Sequence, residues 1–328
     1  MARALRIQYE GAIYHVTCRG NERREIFKDD HDREKFLRIL KDSLDTYQVK
    51  LHAYVLMENH FHLLLETPLA NLSEFMRSFN ITYTSYYNHK YDRVGHLYQG
   101  RFKSLLVEKE SYLAVLSRYI HLNPIKTDAI SKLPMKEREK MLLQYRWSSL
   151  PGYLKEKNKE DFVSYELVFD AYSGDNDGGR KNYWMTLRRD MANGLEIKDK
   201  IVAQSLLGGE GFIKRMKKFL AGRVDREVPS SRTIQHYQEK DRIIQAVCEK
   251  TGLEFEELRR SRDVLRWVMM DLLYRLGGMK GEEIGDLLGV TYSTVSQGRR
   301  RLREKMKEDL ELSLLVKRIE DKLSRMKI

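Results

Sequence analysis

The sequence predicts an α+β fold with an antiparallel sheet for the first part of the chain and an all-α fold for its end. Up to about residue 123 the segments follow the order strand, helix, strand, strand, helix, strand and helix. From about residue 236 onward only helical patterns occur. The 328 residues are enough for two or three domains. The order of the first segments fits a ferredoxin-like split β-α-β domain with one helix added.

Each predicted element rests on its own pattern. Strands are expected over residues 5–19, 51–57 and 60–66, extended structure over 94–107, and helices over 29–47, 71–87 and 110–123. Glu58 and Asn59 form the turn between the second and third strands. The last helix should end near Asn123, because Pro124 lacks an amide donor and disfavours helix at the preceding residue. These elements make up a first domain of residues 1–127.

Residues 128–235 are expected to form a mostly helical extension and linker. Helices are predicted over residues 183–193, 198–207 and 211–220, and a flexible polar break over 173–179. Residues 229–232 resemble a second linker. The remaining residues, 236–328, are predicted to form a separate helix-turn-helix domain.

The composition favours a polyanionic partner. The net charge is +12 and the sequence pI is near 9.4, and nucleic acid is the plainest partner for such a chain. The two cysteines, Cys18 and Cys248, are too few for a cysteine-rich zinc module and argue against a secreted disulfide framework. No apolar stretch approaches a membrane span and no signal-peptide core begins the chain, so we expect a cytoplasmic, nucleoid-associated protein without a membrane partner.

The third strand carries the pattern His60-Phe61-His62. Residues two apart in a strand project to one face, so both imidazoles would lie together while Phe61 packs on the other side. Two neutral imidazoles form half of a divalent-metal site. The alternative is a pair of packed, hydrogen-bonded histidines with no ligand role.

The last helix of the first domain places Tyr119 and Asn123 four residues apart, and therefore on one helix face. A phenol that could act as a nucleophile would then lie beside an amide oxygen that could be a third metal ligand. The alternative is that Tyr119 is a core aromatic residue and Asn123 caps the end of the helix.

At this point the chain resembles a known family. The pieces that match, in the expected order, are YHVTCRGN (14–21), AYVLMENHFHLL (53–64), GHLYQGRFKS (95–104), RYIHLNP (118–124) and YRWSS (145–149). These segments resemble the single-tyrosine HUH transposases, where U is a hydrophobic residue, and especially their REP-associated tyrosine transposase branch. The resemblance covers roughly the first half of the chain and agrees with the ferredoxin-like prediction.

The resemblance implies a metal-dependent transposase that cleaves and rejoins single-stranded DNA. Tyr119 would attack the phosphodiester and keep a 5′-phosphotyrosine bond, while His60, His62 and Asn123 hold a divalent ion, Mg²⁺ or Mn²⁺. REP-associated relatives act on imperfect palindromes folded as hairpins, which makes single-stranded or hairpin DNA the expected partner. Candidate phosphate contacts are Arg19, Asn21, Arg101 and Lys103.

The segment of residues 281–296 fits a helix-turn-helix, with Gly289 at a turn that needs positive φ. It resembles the box-binding domain of the replication initiator DnaA but lacks that family's aspartate and histidine at the signature loop, so the family's sequence preference does not carry over. The expected contacts with duplex DNA are Ser293, Thr294 and Gln297 for base edges, and Arg299, Arg300 and Arg301 for phosphates.

Other functions are compatible with parts of this pattern. A sequence-specific DNA-binding regulator could retain a disused transposase domain, although His60, His62, Tyr119 and Asn123 are all present. A nuclease using activated water would need the metal ligands and not the phenol. A structural interaction protein would leave the ordered motifs unexplained. Both a monomer and a homodimer are compatible with the sequence.

Overall fold

The computed structural model describes residues 7–197, 200–202, 205–221, 238–261 and 263–325. These residues form two compact units. The first runs to Ile201 and includes Leu206–Gly209, and the second begins at Glu210 apart from short pieces between residues 202 and 205. The predicted linker at residues 229–232 lies outside the described residues.

The first unit is built on a mixed sheet of six strands in the order β2-β3-β1-β4-β6-β5. The strands are β1 (Ala12–Arg19), β2 (Lys50–Met57), β3 (His60–Thr67), β4 (Lys103–Val107), β5 (Ile201–Val202) and β6 (Leu206–Leu207). The first four pair antiparallel, whereas β4 and β6 pair parallel. The first unit is therefore an α+β fold, as the sequence predicted.

Helices cover the sheet and extend the unit beyond it. They are α1 (Asp30–Tyr47), α2 (Leu72–Lys90), α3 (Lys109–His121), α4 (Asp128–Ser131), α5 (Met135–Gln144), α6 (Leu150–Leu154), α7 (Glu166–Phe169) and α8 (Asp177–Asn193). Asp29 caps α1 by accepting the amide of Asp32, and Gln48 ends it in a left-handed conformation. The extended segment predicted over residues 94–107 forms a strand only from Lys103 onward.

The two faces of the sheet bury different partners. On one face Phe61 packs against Phe36 of α1 and Phe79 of α2, with ring centroids 4.9 and 6.1 Å away. Against the other face lies α3, which contacts β1, β2 and β3. Because side chains alternate along β3, the histidines beside Phe61 point toward α3.

Residues 128–201 and 206–209 lie in the same compact unit as the sheet, although the sequence predicts a domain boundary at residue 127. The buried side chains of α3 explain this, because their partners lie in the extension. His121 bonds the hydroxyl of Tyr183 through Nδ1 at 2.7 Å and that of Ser149 through Nε2 at 2.8 Å, and Arg118 ion-pairs with Asp190. Sequence patterns do not reveal which distant residues will form hydrogen bonds with a buried polar side chain.

Two predictions within the extension are wrong. The helix expected over residues 198–207 is replaced in its described part by β5 and β6, because Leu206 and Leu207 pair with β4. The polar break at 173–179 is a tight turn that leads directly into α8. Asn176 caps that helix by accepting the amide of Gly179 at 2.9 Å, so α8 starts six positions before the predicted Tyr183.

From Glu210 onward, the regular elements of the described residues in the second unit are all helices. Its helices are α9 (Glu210–Ala221), α10 (Lys240–Thr251), α11 (Phe255–Arg260), α12 (Val264–Arg275), α13 (Gly281–Leu288), α14 (Tyr292–Lys305) and α15 (Leu310–Arg325). One apolar core joins the helices from α10 to α15, including Val268, Ile284, Val295 and Ile319. The prediction of a helical C-terminal region is confirmed. Within the described parts of both units, no helix is long and apolar enough to cross a membrane.

Candidate active site

The sheet and α3 together bring the histidine pair and Tyr119 into one place. In the antiparallel register His60 lies opposite Arg19 and His62 lies opposite Thr17 of β1. The rings of His60 and His62 have centroids 5.1 Å apart. The ring of Tyr119 lies 6.4 Å from that of His62, although 57 positions of sequence separate these residues. The predicted strand that carries the histidines and the predicted helix that carries the tyrosine are therefore adjacent in the folded unit.

His60 is oriented by its neighbour Asn59. The amide oxygen of Asn59 lies 2.7 Å from Nδ1 of His60, and its amide nitrogen donates to the carbonyl of Arg23 at 3.0 Å. An amide oxygen only accepts, so Nδ1 of His60 carries the proton. The lone pair of His60 then lies on Nε2, which is free to bind a metal. Asn59 therefore does more than form the predicted turn.

His62 is oriented by His15 of β1. Nε2 of His15 lies 2.8 Å from Nδ1 of His62, and the two rings are nearly parallel. His15 is 5% exposed and its Nδ1 has no hydrogen-bond partner among the described residues. The contact leaves Nε2 of His62 as the ring nitrogen available for a ligand.

The three histidines are neutral at physiological pH. Burial, followed by the charge of Arg19, lowers the pKa of His60 to about 4. Burial and then Lys126 lower the pKa of His15 to about 4. Burial also holds the pKa of His62 well below its usual range. Metal binding requires the neutral imidazole, so the site keeps these side chains in the form that can act as ligands.

Tyr119 is half-buried at the end of α3 beside a cation. Nζ of Lys126 lies 3.6 Å from the centroid of the Tyr119 ring and also donates to the carbonyl of Leu195 at 2.9 Å. Burial, with a smaller effect from Glu196, raises the pKa of the Tyr119 phenol. The phenol is therefore a poor nucleophile at neutral pH until further positive charge lies beside it.

Asn123 caps the helix that carries Tyr119. Its amide nitrogen donates to the carbonyl oxygens of Tyr119 and Ile120 at 2.9 and 3.3 Å. The side-chain nitrogen of Asn123 thus caps the helix, as the alternative prediction had it. Its side-chain oxygen is the atom that could bind a metal. The two roles are compatible.

The predicted phosphate contacts of the first unit are all exposed. Arg19 lies opposite His60, and Lys103 lies opposite Thr17 in the pairing of β4 with β1, so both are on the histidine face. Asn21 and Arg101 lie in the segments next to these strands. Two cations thus lie near the histidines on the same face of the sheet.

In the second unit the predicted contacts of α14 divide into two groups. Ser293, Thr294, Gln297, Arg300 and Arg301 are exposed. Arg299 instead turns inward, where its guanidinium lies 3.4 Å from the centroid of Tyr274 and 3.4 Å from a carboxylate oxygen of Asp271. Arg299 is therefore less exposed than Arg300 and Arg301, because a carboxylate and a ring of its own unit engage its guanidinium.

The sequence predicts no catalytic or metal-site role for Asn59, His15 or Lys126. Asn59 directly precedes the histidine pair, and Asn123-Pro124 lies shortly before Lys126, but neither spacing signals a hydrogen bond or a cation–π contact. Among the described residues, no group of three or more His, Cys, Asp or Glu side chains could hold a metal. A metal here would need the amide oxygen of Asn123, water or the substrate in addition to the histidine pair.

The site thus combines two neutral imidazoles on the sheet with a half-buried tyrosine on α3. Residues 8–123 match the model of the family described as IS200-like transposases, and the match contains His60, His62, Tyr119 and Asn123. Over these residues the chain is similar to the IS200-like transposases.

Two other comparisons were made. A search of curated proteins gave no match. Among the solved structures that match is that of a REP-associated tyrosine transposase bound to a REP hairpin. It is 14% identical to this chain, covers 54% of this chain and 98% of its own, and has a TM-score of 0.39.

Proposed function

We propose that this protein is a metal-dependent transposase that cleaves and rejoins single-stranded DNA through a covalent 5′-phosphotyrosine intermediate. The observation that carries the proposal is the 6.4 Å approach of the Tyr119 ring to His62, which gathers a nucleophile and a ligand pair from distant parts of the chain. The match of residues 8–123 to the model of a transposase family supports it. The antiparallel order β2-β3-β1-β4 supports a ferredoxin-like sheet as the platform.

Tyr119 is the proposed nucleophile. Its phenolic oxygen attacks the phosphorus of the scissile phosphodiester, and the bond from phosphorus to the 3′ oxygen breaks. The proton lost by the phenol is balanced by the proton gained by the leaving 3′-hydroxyl. The 5′-phosphate stays on the tyrosine, so a second 3′-hydroxyl can reverse the attack and join strands without nucleotide hydrolysis.

The donor set fits a divalent ion, because Nε2 of His60 and His62 and the amide oxygen of Asn123 are the atoms that their hydrogen bonds leave available. Mg²⁺ or Mn²⁺ bound there would polarise the non-bridging oxygen of the scissile phosphate and offset the charge of the transition state. Lys126 adds a fixed positive charge at the face of Tyr119, which favours the phenolate that burial otherwise disfavours.

Single-stranded DNA folded as a hairpin is the proposed substrate. Arg19 and Lys103 place positive charge on the histidine face, where they would hold the phosphates on either side of the cleaved bond. The net charge of +12 favours this class of partner.

An adduct assay tests the proposal directly. Wild-type protein, end-labelled hairpin DNA and Mn²⁺ are incubated and separated on a denaturing gel. We expect a protein–DNA adduct, and digestion followed by mass spectrometry should locate the nucleotide on Tyr119. Cleavage without any adduct would support a water-using nuclease instead. Binding without cleavage, across a panel of hairpins, would support the regulator.

The second unit is proposed to bind duplex DNA through α13 and α14 as a helix-turn-helix. Gly289 adopts φ of 66° between the two helices. A Cβ at Gly285 would lie 2.5 Å from the carbonyl oxygen of Val290, so only glycine allows this close approach. Thr291 caps α14 by accepting the amide of Thr294, and Val295 anchors the helix in the core. Exposed Ser293, Thr294 and Gln297 then lie at the end of the helix that would enter the major groove.

Removing two exposed arginines should weaken duplex binding through lost phosphate contacts. For Arg300→Ala/Arg301→Ala we expect the slope of log K against log salt to fall by about 2 in magnitude, because each phosphate contact contributes roughly 0.9. Fluorescence anisotropy over a salt series measures this. Lys317→Ala/Arg318→Ala on α15 removes the same charge from another exposed surface and serves as the control. An equal change of slope in both variants would contradict a specific role for α14.

A further inference from the structure

We propose that His15 is a positioning residue that accepts a hydrogen bond from His62 and so fixes His62 in the tautomer able to bind the metal. This inference rests on the proposed function, since it concerns the ligand set of the same site. Its evidence is separate, because it comes from a contact between β1 and β3 that lies outside the His-x-His pattern.

The direction of the bond decides whether His62 can be a ligand. The 2.8 Å separation of the two ring nitrogens requires one to carry a proton and the other a lone pair. If His15 donates, neutral His62 holds its own proton on Nε2 and has no lone pair there for a metal. If His62 donates from Nδ1, its Nε2 lone pair is free. Only the second arrangement is compatible with metal binding at Nε2.

The burial and hydrogen bonding of His15 favour the role of an acceptor for His62. His15 is 5% exposed, and no group among the described residues bonds its Nδ1, so within that part of the chain its ring bonds only His62. A buried imidazole with one unsatisfied nitrogen is costly, which favours a specific function over simple packing. A side chain that bonds the far nitrogen of a metal-ligating histidine fixes the orientation of that ring and increases its basicity.

His15 also touches the nucleophile. Its ring centroid lies 6.0 Å from that of Tyr119, with the planes at 77°. Thus one side chain on β1 contacts both the ligand on β3 and the tyrosine on α3. His60 has a corresponding partner in Asn59, so each proposed imidazole ligand has its Nδ1 engaged by a separate side chain.

Two substitutions separate the role of an acceptor from that of a packed side chain. His15→Leu removes the acceptor and keeps an apolar side chain of comparable size. His15→Gln places an amide oxygen near the former Nε2 and can accept from His62. His52→Leu is the matched control, because it removes another buried histidine of the same sheet, one whose ring contacts Ser164 and Glu66 instead.

Two measurements are made on the full chain. Calorimetric titration with Mn²⁺ should show binding about 10–100-fold weaker for His15→Leu, which is the usual effect of losing a side chain that orients a metal ligand. His15→Gln and His52→Leu should bind Mn²⁺ with an affinity close to that of the wild type. Nitrogen-15 NMR of labelled histidines with saturating Mg²⁺ should place the proton of His62 on Nδ1 in wild type. Thermal unfolding confirms that each variant is folded.

The outcomes separate this inference from the proposed function. Unchanged Mn²⁺ affinity in folded His15→Leu, or a proton on Nε2 of His62, overturns the role of His15 while adduct formation by the wild type still stands. An equal loss in His15→Gln and His15→Leu means that shape and not the acceptor matters, and also overturns it. If the wild type binds no Mn²⁺ and forms no adduct, the proposed function fails and the inference fails with it.

Discussion

Tyr119→Phe should abolish the covalent adduct and reduce strand cleavage by at least about 10³-fold, because the proposed mechanism forms the new bond to phosphorus from the phenolic oxygen. The ring of phenylalanine can keep the contacts with His15, His62 and Lys126. No hydrogen bond of the Tyr119 hydroxyl is found within the described part of the chain, so the free energy of unfolding should change by less than about 1 kcal/mol.

Single-turnover cleavage of labelled hairpin DNA, read beside the adduct band, measures this effect. Tyr112→Phe is the matched control, since it makes the same change two turns earlier on α3 and should leave cleavage unaltered. Binding of the hairpin should be nearly the same in all three proteins. Cleavage that continues in Tyr119→Phe at a rate near wild type would exclude the phenol as nucleophile and favour the water-using nuclease.

His62→Ala should weaken Mn²⁺ binding by at least about 10²-fold and remove detectable cleavage. The loss of a proposed ligand should weaken metal binding at least as much as the loss of a side chain that only orients a ligand, an effect that typically reaches that size. His60→Ala should act in the same direction. Its side chain is less buried than that of His62, so its effect on folding stability should be smaller.

Calorimetry with Mn²⁺ and the adduct assay give the two readouts, and circular dichroism checks folding. His31→Ala is the control, because His31 has a side chain 86% exposed on α1. Chelation by EDTA should stop cleavage in the wild type, and added Mg²⁺ or Mn²⁺ should restore it. Full activity in EDTA, or normal Mn²⁺ affinity in both histidine variants, would contradict a metal site at this pair.

The elements around the site follow from local pattern. The alternation along residues 60–66 predicts a strand with Phe61 on one face and both histidines on the other, and the structure has this arrangement. Pro124 ends the helix of Tyr119 within two residues of the predicted position. Gly289 has the positive φ that its place in the turn predicts. Each of these is fixed by sterics within a few residues, which a sequence displays directly.

Local patterns are least informative where distant partners decide the structure. Arg299 carries the same charge as Arg300 and Arg301, yet it faces Asp271 and Tyr274 of α12. Leu206 and Leu207 continue a helix-like apolar pattern but pair with β4. The boundary at residue 127 cuts through a unit that Arg118 and His121 join to the extension. In each case a tertiary contact outweighs a local preference.

The sequence alone determined the α+β class, the histidine pair, the tyrosine on its helix and the resemblance to a transposase family, because these depend on residue type and short spacing. The tertiary structure decided that Tyr119 and His62 meet, that Asn59 and His15 orient the two imidazoles, and that Lys126 lies over the phenol ring. Those relations depend on strand register and helix packing over dozens of residues. Hydrogen bonds and charge contacts of that range exist only once the chain has folded.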